Sequence, residues 1–324
     1  MSSPWIYVIR RILFMIPVFL AVSILTYFVT AAAGNPIDIV KFGLKNLSPA
    51  QLQFLINYYH VNDPVYIRYF YWLWDFVHGN LGQSLVLGGP VAGLVVPWIG
   101  TTLELQLTSL FLSIAIAIPV AVYSAKHPGS KGDATITSVS IFGFSIPVFW
   151  LGIELILLFS LDLKWLPSFG AITPYPPYIG GNIIIDNLVH MIMPTAVLTF
   201  ASVAVFVRLL RANMVETLRQ DYVLGARASG VPERAVTYKH ALKNAVTPVV
   251  TILGLSFALA LGGAPATETT FSWPGLGYQF VQAATVLDLP VIQGITMIIS
   301  IMALIANLIT DLVYGVLDPR VRIE

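Results

Sequence analysis

The sequence predicts an all-α protein that crosses a membrane six times and carries a helical region outside the membrane after the first crossing. Of its 324 residues, 57% are hydrophobic and only 10% are charged, whereas about 25% of the residues in a typical soluble domain are charged. Six apolar runs approach or exceed the roughly 20 residues that a helix needs to span the hydrocarbon core. Lysine and arginine are concentrated in alternate connections between these runs, which predicts the orientation.

The first span is predicted in residues 1–33. Arg10 and Arg11 precede an uncharged run from Ile12 to Ala33. The run ends in three alanines, as a signal-peptidase site does, but the apolar core of a secretory signal is only about 7–15 residues long. This run is long enough to span, so we expect it to be a retained transmembrane helix.

Residues 34–100 form the longest stretch without a span. Ser48-Pro49-Ala50-Gln51 is a capping box with proline at the first helical position, which predicts a short helix. Asp63-Pro64 begins a second helix that is rich in aromatic residues, and His78–Ser84 closes the region as a loop. Aromatic side chains at this density suit the membrane–water interface. A stacking platform for carbohydrate or peptide is the alternative interpretation.

The remaining five spans make residues 101–317 the membrane core. They are Leu105–Ala125, Ala134–Ile153 extended past Glu154 to Leu161, Asn187–Val207, Asn244–Thr267 and Leu289–Thr310. Each of the six runs has a proline in it or at its edge, which transmembrane helices tolerate. The connection Asp162–Asp186 is rich in proline and glycine, so we expect it to be irregular and without chemistry of its own.

The orientation follows from the basic residues. Of the 17 lysines and arginines, all but Lys41, Lys45, Arg68 and Lys164 fall into segments on one side of the predicted spans. Because the side richer in these residues is cytoplasmic, both termini, including the tail 318–324, should be cytoplasmic. The region 34–100 should face out.

A charged island at residues 213–243 lies between two long apolar runs. Asp221 can cap a short helix, and Gly230 stands where such a helix would end in a left-handed turn. Pro232 can then open a second helix at its first position. The island is therefore predicted to be a helix, a glycine turn and a second helix. Held rigidly at the ends of membrane helices, it can transmit force from a soluble partner. An ordinary basic cytoplasmic loop is the alternative on physical grounds.

At this island the sequence resembles the cytoplasmic coupling loop of ABC importer permeases, most of all the dipeptide/oligopeptide branch. Asp221-Tyr222 is followed by Ala226-Arg227-Ala228-Ser229-Gly230, and then by His240-Ala241-Leu242-Lys243-Asn244-Ala245 and Pro248. The general family signature is Glu-Ala-Ala, three residues, a glycine, nine residues and then an apolar position, and Gly230 and the spacing to His240 fit it. Here Leu224-Gly225-Ala226 stands in place of Glu-Ala-Ala, so only Ala226 is kept. Two further stretches, Glu268–Gly277 and Asp318-Pro319-Arg320, are similar to motifs of the same family.

The resemblance implies a type I ABC importer permease core with an outward-facing helical insertion. It implies the transmembrane subunit of an ATP-driven importer of di- or oligopeptides in the cytoplasmic membrane. Its expected partners are a second, homologous permease, two ATP-binding subunits, an extracytoplasmic solute-binding protein and membrane lipid, but no nucleic acid. The residues expected to couple to the ATPase are Asp221, Tyr222, Ala226, Arg227 and Gly230. Similar permeases carry oligosaccharides such as cellobiose, or nickel chelates, so these are the alternative substrates.

No motif indicates an enzyme. The sequence contains neither the glycine-rich phosphate loop of ATPases nor His-Glu-x-x-His. We therefore expect a non-catalytic subunit that holds no cofactor and no metal, with ATP and Mg²⁺ bound by the partner subunits. The five histidines lack the spacing of helix-borne metal ligands, and no aspartyl- or serine-protease motif is present.

Three acids lie in or beside the spans: Glu104, Glu154 and Asp311. Charge at membrane depth costs at least about 2.5–3.5 kcal/mol, so each should face protein or water. Glu104, near the outer end of its span, and Asp311, near the inner end of the last, are expected to pair or hydrogen-bond. Glu154 lies deeper and is the candidate pathway residue. The three acids also keep open a second class, a proton-coupled secondary carrier, although a carrier would have no use for the charged island.

Overall fold

The computed structural model of the protein describes residues 4–34 and 48–317, which are mostly helical and contain no β-strand. In chain order the helices are α1 (Pro4–Ala33), α2 (Pro49–Tyr58), α3 (Val65–Val77), α4 (Val91–Lys126), α5 (Lys131–Ser145), α6 (Val148–Asp162), α7 (Ile183–Thr217), α8 (Asp221–Ala228), α9 (Glu233–Ala245), α10 (Thr247–Leu261), α11 (Pro265–Thr270), α12 (Leu276–Thr285) and α13 (Leu289–Leu317). The predictions for Lys41 and Lys45, and those for the tail 318–324 with its motif Asp318-Pro319-Arg320, lie outside the described residues.

Contacts divide the described residues into two compact units. The first contains the described residues up to Thr102, the segment Leu261–Pro265 and the residues from Pro274 onward. The second contains Leu103–Ala260 and Ala266–Trp273. Helices α1 to α3, α12 and α13 belong to the first unit, and helices α5 to α9 with α11 belong to the second.

The predicted spans are present as four continuous helices and two bent pairs. Helices α1, α4, α7 and α13 are each long and apolar enough to cross a membrane, and α5–α6 and α9–α10 bring the number to six if each pair is one span. Helix α4 begins at Val91, so the predicted boundary at residue 100 falls inside it. Val91 and Val95, one turn apart, are fully buried in the first unit, and this packing extends the helix beyond the span.

The predicted span from Ala134 to Leu161 is broken rather than continuous. Helices α5 and α6 meet at an angle of 101°. Ile146 between them is extended, with φ −77° and ψ 130°, and Pro147 follows it. Proline has no amide hydrogen and disfavours the helical conformation of the residue before it. Pro147 is therefore the physical cause of the break.

The predicted fifth span, Asn244–Thr267, differs from the structure at both ends. Helix α9 ends at Ala245, α10 runs only from Thr247 to Leu261, and the two are bent by 53°. Pro248 lies in the first turn of α10, where its missing amide costs little. At the other end, Gly263 adopts a φ of +80°, a left-handed conformation that ends a helix.

In the first unit, α3 packs on α1 through aromatic side chains. The hydroxyl groups of Tyr69 and Ser23 lie 2.9 Å apart, and the rings of Tyr27 and Trp72 are 5.3 Å apart. The opposite face of α3 exposes Tyr66, Phe70 and Trp74, each more than half accessible. The aromatic residues of α3 are thus divided between an inner packing face and an outer face suited to an interface.

A buried carboxylate organises the loop that follows α3. Asp288 is 1% exposed and accepts hydrogen bonds from the Ser84 hydroxyl at 2.5 Å and from the amides of Leu85 at 3.1 Å and Val86 at 3.2 Å. Three donors satisfy a charge that would otherwise be costly to bury. The loop that follows α3 is therefore held to the residue that precedes α13.

In the second unit, a buried core joins the cytoplasmic ends predicted for three helices. Ala121 of α4, Leu210 and Met214 of α7 and Ala241 of α9 belong to one cluster of almost fully buried residues. Beside it, Arg211 donates to both carboxylate oxygens of Asp133, at 2.6 and 2.7 Å, and the Ser124 hydroxyl also donates to Asp133. This bidentate pair ties α5 to α7.

The connection before α7 is irregular, as expected, but it is ordered by a side chain that we had not singled out. Asp186 is fully buried in the first turn of α7 and accepts from the amide of Thr173 at 2.6 Å and that of Ile179 at 2.9 Å. The Thr173 hydroxyl adds a third bond at 2.7 Å. Asp186 is therefore the anchor of this loop.

Candidate coupling loop

The predicted short helix is present as α8, and it begins at Asp221, one residue earlier than the prediction. Gln220 is the N-cap, with an extended backbone (φ −71°, ψ 146°) and no side-chain capping bond. Its carbonyl accepts from the amides of Val223 at 3.0 Å and Leu224 at 3.1 Å. Asp221 is the first helical residue rather than the cap. Its carboxylate still favours this end of the helix because it faces the positive end of the helix dipole.

Gly230 ends α8 in the predicted left-handed conformation, with φ +77°. Its amide donates to the carbonyl of Arg227 at 3.0 Å, and the amide of Val231 donates to the carbonyl of Ala226 at 3.2 Å. These two bonds define a Schellman motif, in which a glycine satisfies the last carbonyls of a helix. A Cβ at Gly230 would meet no atom within 4 Å. The conformation, not a lack of space, is therefore what requires glycine here.

An ion pair spans the turn. Arg227 donates to both carboxylate oxygens of Glu233, at 3.1 and 2.8 Å. These hydrogen bonds raise the pKa of the Arg227 guanidinium above its ordinary value, so it stays charged. Both side chains are more than a third exposed, and such pairs contribute at most about 1 kcal/mol. The two parallel hydrogen bonds link the end of α8 to the first residue of α9. Helix α9 begins at Glu233, with Pro232 as its N-cap and not, as predicted, its first residue.

Two contacts hold α8 against the rest of the second unit. Val223 is fully buried, and the Tyr222 hydroxyl accepts a 2.7 Å hydrogen bond from Asn244 at the end of α9. Thr237 in α9 is also fully buried, and its hydroxyl donates to the Glu233 carbonyl at 2.8 Å. The loop is thus a packed element and not a flexible connection.

The outer face of α8 is small and apolar. Leu224 is 48% exposed, and Gly225 and Ala228 are exposed beside it, whereas Ala226 is half-buried. Together, Leu224, Gly225 and Ala228 form a surface that we call the tip of α8. Because Gly225 and Ala228 are small, another protein could approach the backbone of α8 closely at this tip.

The connection from α7 to α8 is short and hydrogen-bonded. Only residues 218–220 separate the two helices, and their amides donate to carbonyls of the last turn of α7 at 2.9 to 3.1 Å. Because these bonds remove most of the freedom of the connection, a displacement of α8 moves the end of α7.

All five residues predicted to couple to a partner lie in this loop. Asp221, Tyr222, Ala226 and Arg227 are in α8, and Gly230 closes it. Sequence reasoning missed Glu233 and Asn244, which hold Arg227 and Tyr222. The sequence did single out the region of Asn244, because this residue belongs to the stretch His240–Ala245 that resembles the family. Glu233 had no such signal, since its role depends on the turn between the helices.

The acids in and beside the spans have different environments. Arg11 and Asp311 form the expected pair, 3.0 Å apart. Glu104 is exposed, with Asn187 within hydrogen-bonding reach. Glu154 lies on an exposed face of α6 beside Ile153, and in the part of the chain that the structure describes no side chain bonds to it. Nor do the described residues include a group of three or more acidic or histidine side chains placed to hold a metal ion.

Several helices long and apolar enough to span a membrane, with an ordered helix–turn–helix between two of them, define a multi-pass membrane protein. The chain belongs to the family of binding-protein-dependent transport system inner membrane components, whose model matches residues 117–323. The resemblance proposed from the charged island is therefore confirmed.

Relatives match almost the whole chain. The oligopeptide transport system permease protein AppB of Bacillus subtilis is 40% identical over 318 residues, covering 98% of this chain and 99% of the relative. The dipeptide transport system permease protein DppB of Escherichia coli strain K12 is 36% identical over 334 residues, covering 98% of each. Both are named as transport permeases.

The predicted fold is confirmed by a solved structure. The inward-facing MetNI methionine ABC transporter superposes with a TM-score of 0.53, covering 69% of this chain and 96% of that chain. At 17% identity this likeness shows the fold alone.

Proposed function

We propose that this chain is the permease subunit of an ATP-driven importer that carries dipeptides and short oligopeptides across the cytoplasmic membrane. The observation that carries the proposal is the ordered loop from Asp221 to Ala245, with its exposed apolar tip, in a chain matched over nearly its full length by permeases of peptide transport systems. Both termini would be cytoplasmic, in keeping with the distribution of lysine and arginine.

The proposed assembly contains a second, similar permease, two ATP-binding subunits and an extracytoplasmic binding protein. Each ATP-binding subunit would receive the tip of one α8, and these subunits would hold the ATP and Mg²⁺. This chain has no phosphate loop in its sequence, which supports a non-catalytic role. The binding protein would deliver the solute at the outer face.

In the proposed cycle, ATP brings the two ATP-binding subunits together and draws both α8 helices with them. The Schellman turn and the Arg227–Glu233 pair keep α8 and α9 at a fixed angle, so the two move as one body. Since residues 218–220 join α8 directly to α7, this motion tilts α7 and opens the outer side. ATP hydrolysis then restores the starting state.

The substrate is tested by reconstituting the full assembly with its own binding protein in liposomes. We expect ATP-dependent uptake of radiolabelled di- and tripeptides, and no uptake when the ATP-binding subunits are omitted. Uptake of cellobiose or of a nickel chelate in place of peptides would overturn the substrate assignment while leaving the importer assignment intact.

The division of labour is tested with the purified chain alone. We expect neither binding nor hydrolysis of ATP by the isolated subunit, and peptide-stimulated hydrolysis only after the partner subunits are added. Specific nucleotide binding by the isolated chain, measured by calorimetry, would contradict the proposal.

A further inference from the structure

A groove in the second unit lies between α4 and α7. One wall is formed by every fourth residue of α4 from Thr108 to Ile116, and the other by α7 from Leu188 to Val203. The groove is open along one side and has a volume of about 520 Å³, within the roughly 300–1,000 Å³ of small-ligand sites. The described residues that line it include no charged side chain. We call it the α4–α7 groove.

A buried hydroxyl without a partner lies in the α7 wall of the groove. Thr195 is 6% exposed, and its hydroxyl oxygen makes no hydrogen bond. The hydroxyl of Thr199, one turn later in the same wall, is satisfied, because it donates to the Ser109 carbonyl at 3.3 Å. Leaving a polar group buried and unpaired is unfavourable, so Thr195 can gain from a ligand with backbone amide or carbonyl groups.

A carboxylate stands at one end of the groove. Glu104 lies one turn before Thr108 on α4, is exposed, and has Asn187 of α7 within hydrogen-bonding reach. It is 22 residues from Lys126, the end of α4, or about 33 Å at 1.5 Å per residue. That is close to the thickness of the hydrocarbon core. If Lys126 marks the cytoplasmic side, Glu104 marks the outer mouth.

The Glu104 carboxylate and the Thr195 hydroxyl give the groove two polar groups that a peptide can contact and an acyl chain cannot. A carboxylate exposed toward acyl chains is costly, and acids in membrane proteins face protein or water-filled cavities. The groove also has a direct connection to the coupling loop, because α7 forms one wall and leads into α8 through residues 218–220. Movement of α8 therefore changes the shape of the groove.

We propose that the α4–α7 groove is a binding site for the peptide in transit, with Glu104 at its mouth receiving the peptide's α-ammonium group. The inference rests on the proposed function and names the residues of the route. The uncharged wall accepts side chains of different types, while the Glu104 carboxylate and the Thr195 hydroxyl contact groups that every unmodified peptide has. Recognition of the shared backbone explains how one route serves many sequences.

The first test asks whether the groove is wet and holds peptide. The chain has no cysteine, so Ala196→Cys, at an exposed groove position, gives a single label site. In the assembled transporter we expect it to react with a charged, water-soluble maleimide and to be protected by a tripeptide. No reaction would indicate that lipid or the partner permease covers the groove and would overturn the proposal, as would reaction without protection.

The second test isolates Glu104. In the Ala196→Cys background, Glu104→Gln should raise the concentration of a free tripeptide needed for half-protection by about tenfold or more, since a charge-assisted hydrogen bond is lost. For the same tripeptide with an acetylated amino terminus, the two proteins should behave alike. An equal loss for both peptides would mean that Glu104 is only structural and would overturn its assigned role.

The third test blocks the groove. Ala196→Trp should abolish peptide uptake while the ATP-binding subunits remain bound. Val205→Trp is the matched control, because Val205 is exposed on α7 but does not line the groove. Normal uptake by Ala196→Trp would overturn the proposal. Peptide uptake by the unmodified assembly is measured first, so a failure of the proposed substrate is seen before any variant is made.

Discussion

Gly230 shows how one residue determines the geometry of the proposed coupling loop. Its φ of +77° disfavours any residue with a Cβ by roughly 1 kcal/mol or more. We expect Gly230→Val to reach the membrane but to reorient α8, so that ATP-binding subunits dissociate or hydrolyse ATP without transport. Co-purification and peptide-stimulated hydrolysis measure both effects.

The matched control for this change is Gly181→Val. Gly181 has a φ of +70° and, like Gly230, open space around its missing Cβ. Gly181→Val therefore introduces similar backbone strain, but in the connection before α7, which is predicted to face out. Loss of coupling in both variants, or full coupling in Gly230→Val, would contradict the role given to this turn.

Glu154 distinguishes the importer from a proton-coupled carrier. It is exposed on α6, and the described residues offer it no partner. For an ATP-driven importer, Glu154→Gln keeps the shape of the side chain and should leave substantial ATP-dependent uptake. Uptake is measured with ATP alone and with a proton gradient alone. Transport driven by the gradient without ATP, and lost in Glu154→Gln, would decide for the carrier.

At the scale of the helices, the tip of α8 is where we expect the ATP-binding subunit to dock. Leu224→Glu and Ala226→Glu place a charge in or beside this apolar surface. An unpaired charge in a dry contact is strongly unfavourable, so both should reduce co-purification of the ATP-binding subunits at least tenfold, without loss of the permease itself.

The choice of control for these variants follows from burial in α9. Thr237 appears suitable by position, but it is fully buried and bonded to the Glu233 carbonyl, so its substitution would disturb packing. Lys239→Glu, at an exposed position of the same helix, is the better control. If it disrupts the assembly as strongly as Leu224→Glu, the docking surface extends well beyond the tip.

The elements differ in how far their structure followed from the sequence. Long apolar runs predicted the four continuous spanning helices and the location of the two bent pairs. The left-handed turn was predictable because few residues other than glycine tolerate it. The break at Pro147 could not be predicted from the proline alone, because Pro17 and Pro194 remain inside continuous helices. Whether a proline bends or breaks a helix depends on packing around it.

The same limit applies to the polar contacts. The family motif pointed to Tyr222 and Arg227, but not to the partners that hold them, because those contacts form only once the turn has set the angle between α8 and α9. The roles of Asp186 and Asp288 could likewise not be predicted from the sequence. Each carboxylate accepts hydrogen bonds from loop amides that only the folded chain brings close to it. No local sequence pattern indicates such a contact.

For the whole molecule, the main expectation is the orientation in the membrane. The absence of cysteine allows single-site labelling with an impermeant thiol reagent in intact cells. We expect Tyr175→Cys, at a position 81% exposed in the connection before α7, to be labelled from outside. Ser130→Cys, between α4 and α5, should be labelled only after the cells are opened. The reverse pattern would invert the proposed topology.

The three-residue connection between α7 and α8 has a mechanical consequence. Helix α7 has 35 residues and is about 52 Å long at 1.5 Å per residue. A rotation of roughly 6° about its Ile183 end displaces Thr217 by about 5 Å and Ala196, about 20 Å from that end, by about 2 Å. The helix then acts as a lever in which the displacement at Thr217 is about two and a half times the displacement at Ala196. In the proposed cycle, a large displacement of α8 under a small force would therefore become a smaller displacement of the groove wall under a larger force.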